Sequence, residues 1–187
     1  MLWRQILIYE QDIPGLMLGG TMEIEYRAAT IDDLNKIFQL VCNAIKQMES
    51  DNIYQWDNIY PAKEDFENDI KANQLYVGIV NGEIAVVYAL NKEFDDEYKN
   101  GKWQCITEKF YVVHRLCVSP DFQKQGVAHT TLMHIETELK SIGADSIRLD
   151  VFSKNPYSLK LYNKNGYKII GVANWRKGQF YLMEKIL

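Results

Sequence analysis

Hydrophobic positions change period several times along the chain. After Thr30, the residues Ile31, Leu34, Ile37, Phe38, Val41, Ile45 and Met48 recur at three- and four-residue steps, which predicts an amphipathic helix. Thr30 and Asp33 form a capping-box pattern at its mouth, and "EIEYRA" (23–28) just before it predicts a short strand. A loop rich in aromatics, "NIYQWDNIYP" (52–61), ends in Pro61, placed to start a second short helix carrying Phe66 and Ile70. The apolar runs "LYVGIV" and "EIAVVYAL" are joined by Asn81-Gly82, a strong hairpin signal. The acidic stretch "EFDDEYKNG" (93–101) reads as a turn, and "FYVVHRLCV" (110–118) as a strand. A further helix has the apolar face Leu132, Ile135, Leu139 and Ile142 and ends at Gly143. "SIRLDVF" (146–152) is a strand, and Asn155-Pro156 opens a helix that stops at Asn165-Gly166. "YKIIGVA" and "QFYLMEKIL" form a last hairpin across "NWRKG". Strands alternating with helices predict an α/β fold with a mixed sheet in a single domain over 22–187.

Residues 1–21 stand outside this pattern. "LGGTM" is how a purine-rich, bacterial-type ribosome-binding site reads when translated. The expectation is therefore that Met22 is the biological start and 1–21 an extension; an N-terminal arm packed on the domain is the other reading. The opening "MLWRQILIYEQDIPGLML" makes a poor signal peptide, because acids and a proline interrupt its apolar run.

A formal charge of −4 argues against a basic nucleic-acid face, and no apolar run reaches the length of a membrane span. Cys42, Cys105 and Cys117 are odd in number and widely spaced, as reduced thiols in a cytoplasmic protein would be. His114, His129 and His134 lack zinc-ligand spacing, so no metal is expected.

The stretch "RLCVSPDFQKQGVAHTTLMHI" (115–135) carries the chemistry. A strand gives way to a turn with one glycine, Gly126, and then at once to a helix. A helix mouth leaves its first amides unpaired and bears partial positive charge, a combination that binds phosphate. Gly126 lets a bulky anion approach the backbone, and Ala128 stays small in the next turn. Neither G-x-x-x-x-G-K-[ST] nor G-x-G-x-x-G is present. By itself the glycine reads more readily as a tight strand-to-helix turn.

Gln123-x-x-Gly126-x-Ala128, set between a strand and an amphipathic helix, resembles the acetyl-CoA pyrophosphate loop of the GNAT family of N-acetyltransferases, whose pattern is Q/R-x-x-G-x-G/A. Downstream, Asn155-x-x-Ser158-x-x-Leu161-Tyr162-x-x-x-Gly166-Tyr167 is similar to the family's N-x-x-A-x-x-L-Y-x-x-x-G-F, with Ser158 for alanine and Tyr167 for phenylalanine. The likeness runs from about residue 23 to 187. It implies the GNAT fold: a mixed, mostly antiparallel central sheet flanked by helices. It also implies acetyl-CoA as co-substrate. The strand ending Leu116, Cys117 and Val118 would offer backbone groups to the pantetheine arm. The amides of Lys124, Gln125, Gly126, Val127, Ala128 and His129 would cradle the pyrophosphate beside Gln123. Asn155, with Ser158, matches the position that contacts the cofactor arm, and Asn155 is also a plain helix N-cap.

Acetyl transfer to an amine needs a base for the ammonium and an acid for the leaving thiolate. Tyr162 matches the family's general-acid tyrosine; the other reading is a core-facing helix tyrosine. For the base, Asp150 points away from Leu149 and Val151, where some members carry an acid, or else it pairs on the surface with Arg148. His114 is the second candidate, with structural hydrogen bonding as its plainer role, and ordered water is the third. Tyr54, Gln55, Trp56, Asp57, Tyr60 and the acidic 93–97 stretch border the expected acceptor cleft and suit a small cationic or aromatic amine. A peptide amine as acceptor and a catalytically silent acyl-CoA-binding module stand as alternatives. Family members often dimerise, and the last hairpin is one candidate contact.

Overall fold

A computed structural model describes residues 22–187; the expectation about 1–21 falls outside the described residues. Seven strands make one sheet in the spatial order β1-β2-β3-β4-β5-β7-β6. They are β1 (Glu25–Ala28), β2 (Leu75–Val80), β3 (Glu83–Asn91), β4 (Phe110–Val118), β5 (Ser146–Phe152), β6 (Lys168–Trp175) and β7 (Gly178–Ile186). Every neighbouring pair is antiparallel except β4 and β5, which a helical crossover joins in parallel. The helices are α1 (Leu34–Ser50), α2 (Lys63–Lys71), α3 (Val127–Ser141) and α4 (Pro156–Lys164). This mixed, mostly antiparallel sheet flanked by helices is the architecture the sequence predicts.

Burial follows the periodicities. α1 and α2 cover one face, packing Ile37, Val41 and Phe66 against Leu75, Val77 and Val87. α3 and α4 cover the other, packing Leu132, Ile135 and Tyr162 against Ile147, Leu149 and Met183. Beside α1 and α2, the segment 93–109 lies over the far part of the sheet, where Tyr98 meets Phe110, Val112 and Leu182.

Several local expectations shift. Ile142 is 63% exposed, because α3 ends at Ser141 and the Gly143 turn carries the chain away from the core. Pro61 precedes α2 by two residues; Asp65, accepting the Ala62 amide at 2.7 Å, caps that helix instead. The 93–101 stretch is more than a turn: a 3-10 segment, Asp96–Asn100, buries Tyr98 to 2% exposure. The last hairpin pairs further than its apolar runs suggest, from Trp175 opposite Gly178, leaving only Arg176 and Lys177 to turn.

Candidate active site

The site begins with a fault in the sheet. β4 pairs with β3 at Val87 opposite Cys117 and resumes at Ala89 opposite His114, with a bulge between them. Arg115, at the bulge, has φ 50°, a left-handed conformation that costs a non-glycine residue energy and turns the strand. On its other side β4 pairs with β5 only over Phe110–Val112 and Ser146–Arg148. Beyond that the two strands part, so the β5-facing edge of Val113 to Val118 lacks a strand partner. Groups from both faces of the sheet thereby reach one cavity of about 490 Å³: Asp150 from the side of segment 93–109, Tyr162 from α4.

The glycine turn lies at the end of β4. Gly126 is the N-cap of α3 at φ 86°, and a Cβ built there would meet no atom of the chain. Glycine is thus favoured by the backbone conformation, and the space in front stays open. Thr130 is the first amide of α3 to close on the backbone, onto Gly126 O at 3.0 Å, so those of Val127, Ala128 and His129 lack an intrahelical acceptor. The turn is braced by its own side chains. Gln123 Nε2 donates to Val118 O at 3.3 Å and Gln125 Nε2 to Asp121 O at 2.8 Å. The His129 ring turns away, with Nδ1 2.7 Å from Asn165 Oδ1. Backbone amides, rather than these side chains, face the open space.

Asp150 and Tyr162 meet different conditions at the cavity. The Tyr98 hydroxyl donates to Asp150 Oδ1 at 2.8 Å, and burial, against that hydrogen bond, pushes the Asp150 carboxyl up to about 6. Arg148 does not pair with it: its guanidinium lies over the rings of Trp103 and Phe110, 4.3 and 3.8 Å from their centroids, and Nη2 donates to Cys105 O. The Tyr162 hydroxyl has no hydrogen-bond partner among the described residues, and burial, then the Asp150 charge, raises its pKa. Its ring is fixed edge-on against Tyr167, centroids 5.7 Å apart. Gly166, at φ 84°, makes that possible, because the turn it closes brings the Tyr167 amide onto Tyr162 O at 3.1 Å.

His114 is committed elsewhere. Its Nε2 lies 3.0 Å from both Asn91 Oδ1 and the carbonyl of Glu93. A carbonyl only accepts, so Nε2 carries the proton, and burial lowers the ring's pKa to about 4. Asn155 acts as N-cap of α4, accepting the Ser158 amide at 3.0 Å, while its Nδ2 donates to Gln55 Oε1 at 2.8 Å. Cys117, on β4, is buried, and burial pushes its thiol up to about 12.

A family model, the acetyltransferase (GNAT) family, matches residues 40–167, more than half of the chain. The chain belongs to the GNAT family of acetyltransferases. Solved GNAT structures share its fold. One from Streptococcus agalactiae superposes with a TM-score of 0.78 at 23% identity, covering 89% of this chain and 99% of the other. One from Listeria monocytogenes gives 0.73 at 22%, covering 91% and 99%. The PaiA N-acetyltransferase of Thermoplasma acidophilum, solved in complex with coenzyme A, gives 0.67 at 21%, covering 89% and 100%. Comparison with curated proteins finds no match.

The GNAT match stops short of the last hairpin, and both there and within the match the site gains residues that motif reading missed. Loop 52–61 roofs the cavity and is tied down at three points. Gln55 bonds Asn155, and Asp57 takes Arg176 Nη1 at 2.8 Å and Lys177 Nζ at 3.2 Å from the β6–β7 turn. The Tyr60 hydroxyl accepts Arg115 Nη1 at 3.1 Å, and Asp69 pairs with the same guanidinium. Tyr98, Arg115 and the Arg176-Lys177 turn carry no spacing signal that would mark them. No group of three or more potential metal-binding side chains converges among the described residues, and none of their helices is long and apolar enough to cross a membrane.

Proposed function

We propose that this GNAT protein is an acetyl-CoA-dependent N-acetyltransferase of a small-molecule primary amine, with Tyr162 as proton donor to the leaving thiolate and Asp150 as acceptor of the amine's proton. The observation that carries the reading is the meeting of an unbonded Tyr162 hydroxyl and a hydrogen-bonded Asp150 on one cavity, from opposite faces of the parted sheet.

The residues present fit the co-substrate. The open space before Gly126 and the free amides of Val127 to His129 suit a pyrophosphate, with Lys124, Gln125 and Gly126 completing the turn. The unpartnered edge of Leu116, Cys117 and Val118 suits an extended amide-bearing arm, with Asn155 and Ser158 at its far side. Acetyl-CoA, when bound, supplies the thioester.

The chain's own groups handle the protons. An alkyl ammonium, with a pKa near ~10.4, must lose a proton before it attacks. With its pKa near 6, Asp150 is ionised at pH 7 yet more basic than an ordinary carboxylate. Tyr98 holds the carboxylate in place. Tyr162 keeps its proton throughout the neutral range, as its raised pKa requires. The committed Nε2 and low pKa of His114 favour Asp150 over it as base. The raised thiol pKa of Cys117 argues against an acyl-cysteine route and for direct transfer. The pinned roof over the cavity favours a small acceptor over a peptide, which would need a channel open at both ends.

Calorimetric titration with acetyl-CoA, then free-thiol release over an amine panel, tests the reading. Tyr162→Phe is expected to lower kcat by about 100-fold while acetyl-CoA affinity holds. Unchanged turnover would remove Tyr162 from its role; absence of acetyl-CoA binding by the folded protein would remove the transferase reading.

A further inference from the structure

Charge around the cavity is unevenly spent. Of its lining cations, Arg115 is neutralised by Asp69, while Arg176 and Lys177 both close on Asp57. His114 is neutral, its Nε2 proton held by the Glu93 carbonyl. Three lining carboxylates, Glu93, Asp95 and Asp150, have no cationic partner among the described residues. The nearest polar contacts to the first and third are uncharged: Gln74 Nε2 at 3.4 Å from Glu93 Oε1, and the Tyr98 hydroxyl on Asp150. Arg176 and Lys177 share the one carboxylate of Asp57, yet five carboxylates (Asp57, Asp69, Glu93, Asp95 and Asp150) face three cations around the cavity, so an arriving molecule meets net negative charge.

The same wall is aromatic. Phe94 stacks on Tyr98 with centroids 5.7 Å apart, Tyr98 lies 6.3 Å from Trp175, and Trp175 meets Phe180 edge-on at 5.1 Å. Phe94 is 46% exposed, a large apolar ring left at the edge of a cavity whose own acids repel anions. Rings beside carboxylates recognise a cation with an apolar body, by stacking, cation–π attraction and charge together. A volume of about 490 Å³ that must also admit an acetyl group leaves room for a small molecule.

Resting on the transferase reading above, we propose that the acceptor is an amine carried on an aromatic or similarly apolar body and bearing no carboxylate or phosphate. An amino acid is disfavoured because its carboxylate would lie among Glu93, Asp95 and Asp150, where carboxylates outnumber cations and each cation already contacts an acid. A slender polar diamine would satisfy the acids and leave the ring wall unused.

The test is calorimetry on protein saturated with desulfo-CoA, titrated with 2-phenylethylamine, phenylalanine and putrescine. These probes share an amine and differ in the carboxylate and the ring. Saturable binding of 2-phenylethylamine is expected, with phenylalanine and putrescine each weaker by about tenfold or more. Phe94→Ala and Asp95→Asn should each weaken 2-phenylethylamine by about fivefold, with acetyl-CoA affinity serving as the check on folding. Phenylalanine or putrescine binding as well as 2-phenylethylamine would overturn the proposal. So would unchanged affinity in both variants, or acetyl-CoA binding with no 2-phenylethylamine binding. Failure of acetyl-CoA itself to bind the folded protein would instead bring down the transferase reading, and this inference with it.

Discussion

The two halves of the cavity are built by different means. The half assigned to the cofactor is made of backbone: an unpaired strand edge, a glycine turn and the first amides of α3. Apart from Asn155 and Ser158, it lies within one continuous stretch, from Leu116 to His129. The half assigned to the acceptor is made of side chains drawn from loop 52–61, segment 93–98, Asp150 and the β6–β7 turn. Backbone geometry needs few fixed residues and reads any chain carrying the same phosphates. Side chains converging from distant segments can be exchanged one at a time, so specificity belongs there.

If that division is right, substitutions should divide the same way. The largest effect is expected at Gly126→Asp, which puts a negative charge where the pyrophosphate would sit: acetyl-CoA affinity should fall by about 100-fold. Gly126→Ala adds only the backbone cost of a left-handed residue, about 1–2 kcal/mol of stability by thermal unfolding. In the other half, Asp150→Asn should lower kcat/KM by about 100-fold with acetyl-CoA affinity intact. Wild-type kcat/KM should climb as pH rises through about 6, where the carboxylate forms, and the variant should lack that limb. Tyr98→Phe removes the hydrogen bond that lowers the Asp150 pKa, so the limb should move to higher pH while the rate at pH 9 is largely kept. A merely structural Tyr98 would lower the rate at every pH alike.

Stability carries the same signature with its own sign. The native pKa of Asp150 lies above its ordinary value, so its contribution is intact below about pH 4 and is lost as pH rises through about 6. Asp150→Asn should therefore gain on the wild type over that interval, by on the order of 3 kcal/mol at pH 8. The smallest effect is expected at Gln55→Ala, which breaks one tie of the roof: the acceptor KM should rise about threefold with acetyl-CoA affinity nearly unchanged. A larger change in acetyl-CoA affinity than in acceptor KM would break the division between the halves.

What was legible in the sequence follows the same line. Gly126, Asn155 and Gly166 announce themselves because each answers a local backbone need, namely a left-handed N-cap, an amide acceptor and a helix stop. The order of strands and helices was readable from period alone. The parting of β4 from β5 was not, because nothing in "FYVVHRLCV" marks Arg115 as the residue at a bulge. Tyr98 sits in an acidic stretch that reads as a solvated turn; its burial depends on Trp103, Phe110 and Trp175 arriving from elsewhere. The partners of Asp57 lie 119 and 120 residues away, a contact that only the folded sheet creates.

The parted strands have one more consequence. An unpaired strand edge normally invites another chain to add itself, which is how sheets aggregate. Here that edge lies inside the sheet, with α3 packed on β4 and α4 on β5. A second strand would bring side chains toward both faces, and those on the α3–α4 face would meet these helices. A slim, unbranched arm would not. The fold thus keeps a template for pairing open while its width decides what is allowed to pair.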